Sequence, residues 1–238
     1  MINFSEQKIM NVPLQCEKAY EIVSLGINCL PRTVLTRKNL KPRKAQGELS
    51  CPFDLVAHDV KRVTNYIEND FDGYFDDLTF RTVKRCFFDF RKKGIWEKAD
   101  GTKFFHDKDC KVNDREKIVK RISSRIDNFR KILKNEKPII FVQCIDDGED
   151  IKNLYNVLKN KREDKLFKLV IFDFNNIVTE KYENIYVFKI PYPKNIKKYA
   201  KYWNRYKNYN SKSGKLFENE IKNALEQVID DLKKEISE

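Results

Sequence analysis

The sequence predicts an α/β fold, a three-layer domain in which a largely parallel sheet is flanked by helices and carries an inserted β-hairpin region. Two observations predict the layers. Pro138–Ile145, Phe167–Phe174 and Ile185–Ile190 are apolar runs without polar alternation, the pattern of strands buried on both faces. Helical periodicity accompanies them at Glu149–Lys161 and Lys215–Ile236, and strands alternating with helices build a covered parallel sheet. A third observation sets the domain count. No repeat and no low-complexity linker interrupts the 238 residues, so residues 1–238 read as one domain. Within it, residues 20–145 carry the candidate motifs and residues 138–238 complete the sheet.

The N-terminal half is punctuated more heavily. Glu21–Leu25 is a short buried-strand pattern broken by Gly26-Ile27-Asn28. Asn28 suits the N-cap of a helix over roughly 29–38, and Pro31 suits its first turn. Ser50-Cys51-Pro52-Phe53-Asp54 is a turn in which Pro52 biases Cys51 towards extended backbone. Val60, Val63, Tyr66, Ile67 and Phe71 follow helical spacing. Thr79–Phe90 and Gly94–Phe105 read as the hairpin region, punctuated by Gly94 and Asp100-Gly101. Ile118, Ile122, Ile126, Phe129 and Leu133 mark one face of a long helix from Asp114.

Composition narrows the functional classes. No run approaches the 18 or so apolar residues of a spanning helix, and Met1–Asn11 lacks the basic-then-apolar pattern of a secretory signal. A cytoplasmic protein is expected. The six cysteines form no C-x-x-C pair and only two histidines occur, so free thiols are expected, with no structural zinc and no cofactor. A net charge of +12 favours anionic partners, although Lys, Asn and Ile enrichment is also what an AT-rich genome produces.

If the strands at 21–25, 138–145 and 167–174 are parallel neighbours, one rim collects the turns bearing Cys29, Asp146 with Asp147, and Asn175 with Asn176. Ligands in such folds bind beyond the carboxyl ends of the strands. Cys29 is the strongest candidate there. At a helix start, unpaired amides and the helix dipole lower a thiol pKa and supply donors for an oxyanion, with Asn28 adding a side-chain donor. The plain alternative is a small buried residue filling a gap. His106 supplies an imidazole, and either Asp107 or Asp54 its orienting carboxylate. Asp107 serves only if the backbone turns there, because neighbours on a strand face opposite ways. His58, beside Asp59, reads as a surface or capping residue. Asp146-Asp147-Gly148-Glu149-Asp150 is sufficiently explained as an acidic helix start.

Lys194, Lys198, Lys201 and Arg205 alternate with Tyr199, Tyr202, Trp203 and Tyr206. Such a segment suits an anionic ligand, the lysines neutralising phosphates and the aromatics stacking on bases. It equally suits an amphipathic stretch packed on the sheet.

Four motifs, in order, add a family resemblance: Ser24-Leu25-Gly26-Ile27-Asn28-Cys29, Ser50-Cys51-Pro52-Phe53-Asp54, Asn69-Asp70-Phe71-Asp72-Gly73-Tyr74-Phe75 and Phe104-Phe105-His106-Asp107. Together they resemble an uncharacterised family of bacterial and viral proteins described as papain-like cysteine peptidases. The resemblance spans roughly residues 20–145. It implies Cys29 as nucleophile and His106 as general base, with Asp107 or Asp54 orienting it. It also implies a papain-like α+β alternative for the fold. Leu55 stands where the family pattern has an aromatic residue. The expected activity is a cysteine-dependent hydrolase or acyltransferase on an acyl or peptide substrate, with Ser24, Gly26, Asn28 and Asp54 lining the substrate and oxyanion side. The alternatives are a protein binding a polyanion, either nucleic acid or a phosphorylated glycan, and a transferase on a phosphorylated substrate in which Cys29 is structural.

Overall fold

The computed structural model describes residues 19–83, 93–107, 109–145, 150–163, 165–193 and 206–238. Strands β1 (Glu21–Gly26), β5 (Ile139–Ile145), β6 (Phe167–Asp173) and β7 (Ile185–Lys189) form a four-stranded sheet in the order β1-β5-β6-β7, parallel throughout. Strands β2 (Thr79–Val83), β3 (Lys93–Glu97) and β4 (Lys103–Phe104) form a separate antiparallel sheet. This is the expected α/β architecture, with the hairpin region inserted between β1 and β5.

Side-chain alternation assigns the two faces of the parallel sheet. Val23, Leu25, Ile139, Phe141, Ile145, Leu169 and Ile171 face one core, beneath α2 (Val60–Glu68), α3 (Arg115–Lys134) and α4 (Ile151–Arg162). Ile22, Ile140, Val142, Cys144, Val170 and Phe172 face the other, beneath α1 (Leu30–Arg37) and α6 (Lys212–Ser237). A short helix, α5 (Tyr206–Tyr209), precedes α6. All seven residues of β5 are buried, as its unbroken apolar run demands of a central strand. Glu218 on α6, itself buried, pairs with Arg37 and so fixes the position of α1.

Sequence and structure agree to within a few residues at most elements. The helix expected over 29–38 runs from Leu30 to Arg37, and the one expected from Lys215 begins at Lys212. Ser211 sets that start, its hydroxyl accepting the Gly214 N–H at 3.0 Å. Residues 84–90 of the expected hairpin region lie outside the described residues.

One buried cation joins the layers. Arg162, at the end of α4, is fully buried. Its guanidinium donates to the carbonyls of Leu133 (2.8 Å), Asn135 (2.8 Å) and Lys137 (3.0 Å), with Ile132 and Leu166 at longer range. It therefore satisfies carbonyls that the end of α3 leaves without an intrahelical partner. Replacing Arg162 with Met strands several buried acceptors, at about 1–3 kcal/mol each. Urea denaturation is expected to show a loss of about 3 kcal/mol or more; a loss below about 1 kcal/mol would refute this role.

Candidate active site

The site is built on the turn that ends β1. Gly26 has φ +101°, and a Cβ there would stand 2.7 Å from His58 Nε2 and 3.3 Å from the Phe53 carbonyl oxygen. Ile27 follows with φ 77°, a left-handed backbone that a β-branched residue adopts only under strain. Asn28 Oδ1 then accepts the Leu30 N–H at 2.9 Å. Cys29, rather than Asn28, is the N-cap of α1. The Cys29 carbonyl accepts the Thr33 N–H (3.0 Å) and hydroxyl (2.7 Å).

A lacing of backbone pairs brings His106 to this turn. His58 N–H donates to the Ile27 carbonyl at 3.2 Å, and Ala57 exchanges two hydrogen bonds with Lys103 at 3.0 and 3.1 Å. The two residues Ala57 and His58 thereby tie the end of β1 to β4, three residues before His106. Cys29 Sγ lies 2.9 Å from His106 Nε2, across 77 positions of sequence. The sulfur is buried, at 4% residue exposure, while His106 is exposed.

Electrostatics depart from the expectation for a helix start. Burial pushes the Cys29 thiol up to about 12, against the smaller opposing pull of its own backbone N–H. The helix terminus offsets this only weakly, because several of its donors are committed or missing. Asn28 takes the Leu30 amide, Pro31 has none, and Thr33 closes the first turn. Burial thus favours the neutral thiol, and the contact with His106 Nε2 is a hydrogen bond whose direction follows the imidazole tautomer.

The remaining expected residues are placed as follows. Asp54 is buried, accepts the Cys51 N–H at 2.8 Å and faces Arg32 Nε at 3.8 Å. Burial raises its carboxyl above the usual range, although Lys41 and Arg32 pull it down. Asp107 is buried and directs its carboxylate to Arg121 and Arg125 on α3. Ser24 is fully buried within β1, on the face that carries Ile22. The parallel order of β1, β5 and β6 sets the carboxyl ends of those strands on one edge. Asp146 and Asp147 lie outside the described residues, as do Lys194, Lys198, Lys201, Trp203 and Arg205. The cysteines at 29, 51, 110 and 144 are free thiols. Among the described residues, no cluster suits a metal ion, and no helix is long and apolar enough to cross a membrane.

Against this geometry stands one comparison with known proteins. Residues 20–178 match the family described as "Putative papain-like cysteine peptidase". The chain belongs to this family. Neither a curated protein nor a solved structure matches it. The matched span covers all four motifs and runs through β6.

His58 corrects the sequence reading. It is buried, not on the surface. Its Nε2 lies 3.1 Å from the Leu25 carbonyl oxygen, so that nitrogen carries the proton, and its ring meets Phe53 edge-on at 5.1 Å. The capping role belongs to Asp59, whose side chain accepts the Arg62 N–H. Arg121, Arg125 and Arg32 were also missed. The arginines at 121 and 125 carry a faint signal, two cations one turn apart with Asp107 and Asp109 shortly before them.

Burial lowers the His58 imidazole from 6.5 to about 4, outweighing its hydrogen bond to Leu25. The unfolded chain therefore binds this proton first. Stability is full above pH 6.5 and falls as pH drops towards 4, by about 3 kcal/mol from this group. Unfolding free energies of the wild type and His58→Gln, measured from pH 7 to 4, are expected to converge by that amount. Parallel curves would contradict the assignment.

Proposed function

We propose that the protein is a cysteine-dependent hydrolase or acyltransferase in which Cys29 is the nucleophile and His106 the general base. The observation that carries this reading is the 2.9 Å separation of Cys29 Sγ and His106 Nε2. It lies within the range in which a base can take the proton of the attacking group.

The chemistry follows from the protonation state. A thiol held neutral by burial reacts when His106 Nε2 removes its proton as sulfur bonds to a substrate carbonyl carbon. The carbonyl electron pair moves onto oxygen. The Cys29 backbone N–H and the Asn28 side-chain amide, whose oxygen is engaged by Leu30, are the donors on hand for that oxyanion. Collapse of the intermediate breaks the bond to the leaving group, which takes the proton from His106. Water, or an acceptor amine or alcohol, then attacks the resulting thioester with His106 again as base, and collapse breaks the carbon–sulfur bond, the proton returning from His106 to Cys29 Sγ. Water gives hydrolysis and the acceptor gives acyl transfer.

The experiment is acetylation by p-nitrophenyl acetate, followed by peptide mass spectrometry across all six cysteines. Acetyl is expected on Cys29 ahead of the other five, and its rate is expected to fall about 100-fold or more in His106→Ala. Acetyl spread evenly among the cysteines, or a rate on Cys29 indifferent to His106→Ala, would refute the proposal.

A further inference from the structure

His106 sits on a loop, and a loop places an imidazole only if something holds it. The holding contacts lie on α3. Asp107 is 3% exposed. Its Oδ1 accepts from Arg121 Nη1 at 2.9 Å and Arg125 Nη2 at 3.0 Å, and its Oδ2 accepts from Arg125 Nη1 at 3.3 Å. The two arginines are one helical turn apart and so share a face. Arg121 also grips both oxygens of Asp109 at 2.7 Å, which Lys117 joins at 3.1 Å. The Cys110 N–H closes the loop on the Asp107 carbonyl at 3.0 Å.

The geometry has a directional consequence. A buried carboxylate needs cations or hydrogen-bond donors to hold it, and the cations that hold Asp107 both lie on α3, so Asp107 faces that helix. The chain bends at His106, just beyond the end of β4. Anchoring Asp107 on α3 thus fixes the far side of the bend from which His106 reaches Cys29 Sγ. Arg130, on the same helix, pairs at 2.9 Å with Asp70 in the turn after α2, exposed and remote in sequence from this loop, and provides a built-in control.

We propose that Arg121 and Arg125 are positioning residues, which act through Asp107 to set the loop that carries His106 over Cys29. The link to catalysis rests on the acyl-transfer reading above. The link to His106 does not.

The test uses the full chain and its two histidines, whose ring signals in NMR are assigned with His106→Ala. In the wild type, Cys29→Ala is expected to displace the His106 signals, because the two side chains touch. With Arg121→Ala and Arg125→Ala together, that displacement is expected to vanish, and acetylation of Cys29 by p-nitrophenyl acetate to fall about 100-fold, as for a misplacement near 1 Å. The paired Lys substitutions, which keep charge but lose the planar fork, are expected to lie between, and they decide the matter if the double Ala variant does not fold. Arg130→Ala is expected to match the wild type. The proposal is overturned if wild-type His106 ignores Cys29→Ala, if the arginine variants retain both the displacement and the acetylation rate, or if Arg130→Ala causes the same losses. A wild type that shows the displacement but no acetylation, with the displacement lost in the arginine variants, upholds the positioning role and defeats the acyl-transfer reading instead.

Discussion

The structure depends on a two-residue lacing. Ala57 and His58 pair on one side with Lys103 and on the other with Ile27, and so join the antiparallel sheet to the end of the parallel one. Each contact is a backbone hydrogen bond worth about 1 kcal/mol net, but together they fix the register of two segments far apart in the chain. Cys29 follows Ile27 by two residues and His106 follows Lys103 by three. Displacing the lacing would displace both side chains at once. The strained backbone of Ile27 and the close approach of Gly26 to His58 are what this junction requires. Strain of this kind persists only where the surroundings over-determine it.

Burial decides the charge state of the site. The Cys29 thiol is pushed up and the His58 imidazole down, so both groups are neutral where their environment is driest. Charge is concentrated instead in paired form one layer away, where Arg121 and Arg125 meet Asp107. A neutral thiol beside an imidazole can be held without a net buried charge, whereas a standing ion pair in the same place would carry the desolvation cost of both ions. In the proposed reaction the proton would move only as the sulfur attacks.

Much of this was legible in the sequence, and the limits have physical causes. The apolar runs of β5 and β6 and the periodicity of α3 are local consequences of burial, and they read directly. The turn at Gly26 to Cys29 was visible because a glycine, a capping residue and Pro31 crowd together. Cys29 and His106 were candidates on their own residue chemistry, and the family motifs implied their pairing, which no local pattern encodes across 77 positions. What stayed hidden depends on tertiary neighbours. The expected fall in the Cys29 pKa follows from a helix start considered alone, but burial is set by residues distant in sequence. His58 looked exposed beside Asp59, since nothing nearby reveals that its ring fills the space Gly26 leaves open. Asp107 was singled out for its place beside His106, yet its carboxylate meets arginines 14 and 18 positions on.

The central claim is that Cys29 and His106 act as one unit. Its most direct measurement is the rate of Cys29 alkylation by iodoacetamide, followed by peptide mass spectrometry from pH 6 to 10 in wild type and His106→Ala. At neutral pH, wild-type Cys29 is expected to react about tenfold or more faster than in His106→Ala, where a buried thiol without a base reacts only as the solution becomes strongly alkaline. Superimposable pH profiles for the two proteins would contradict the account.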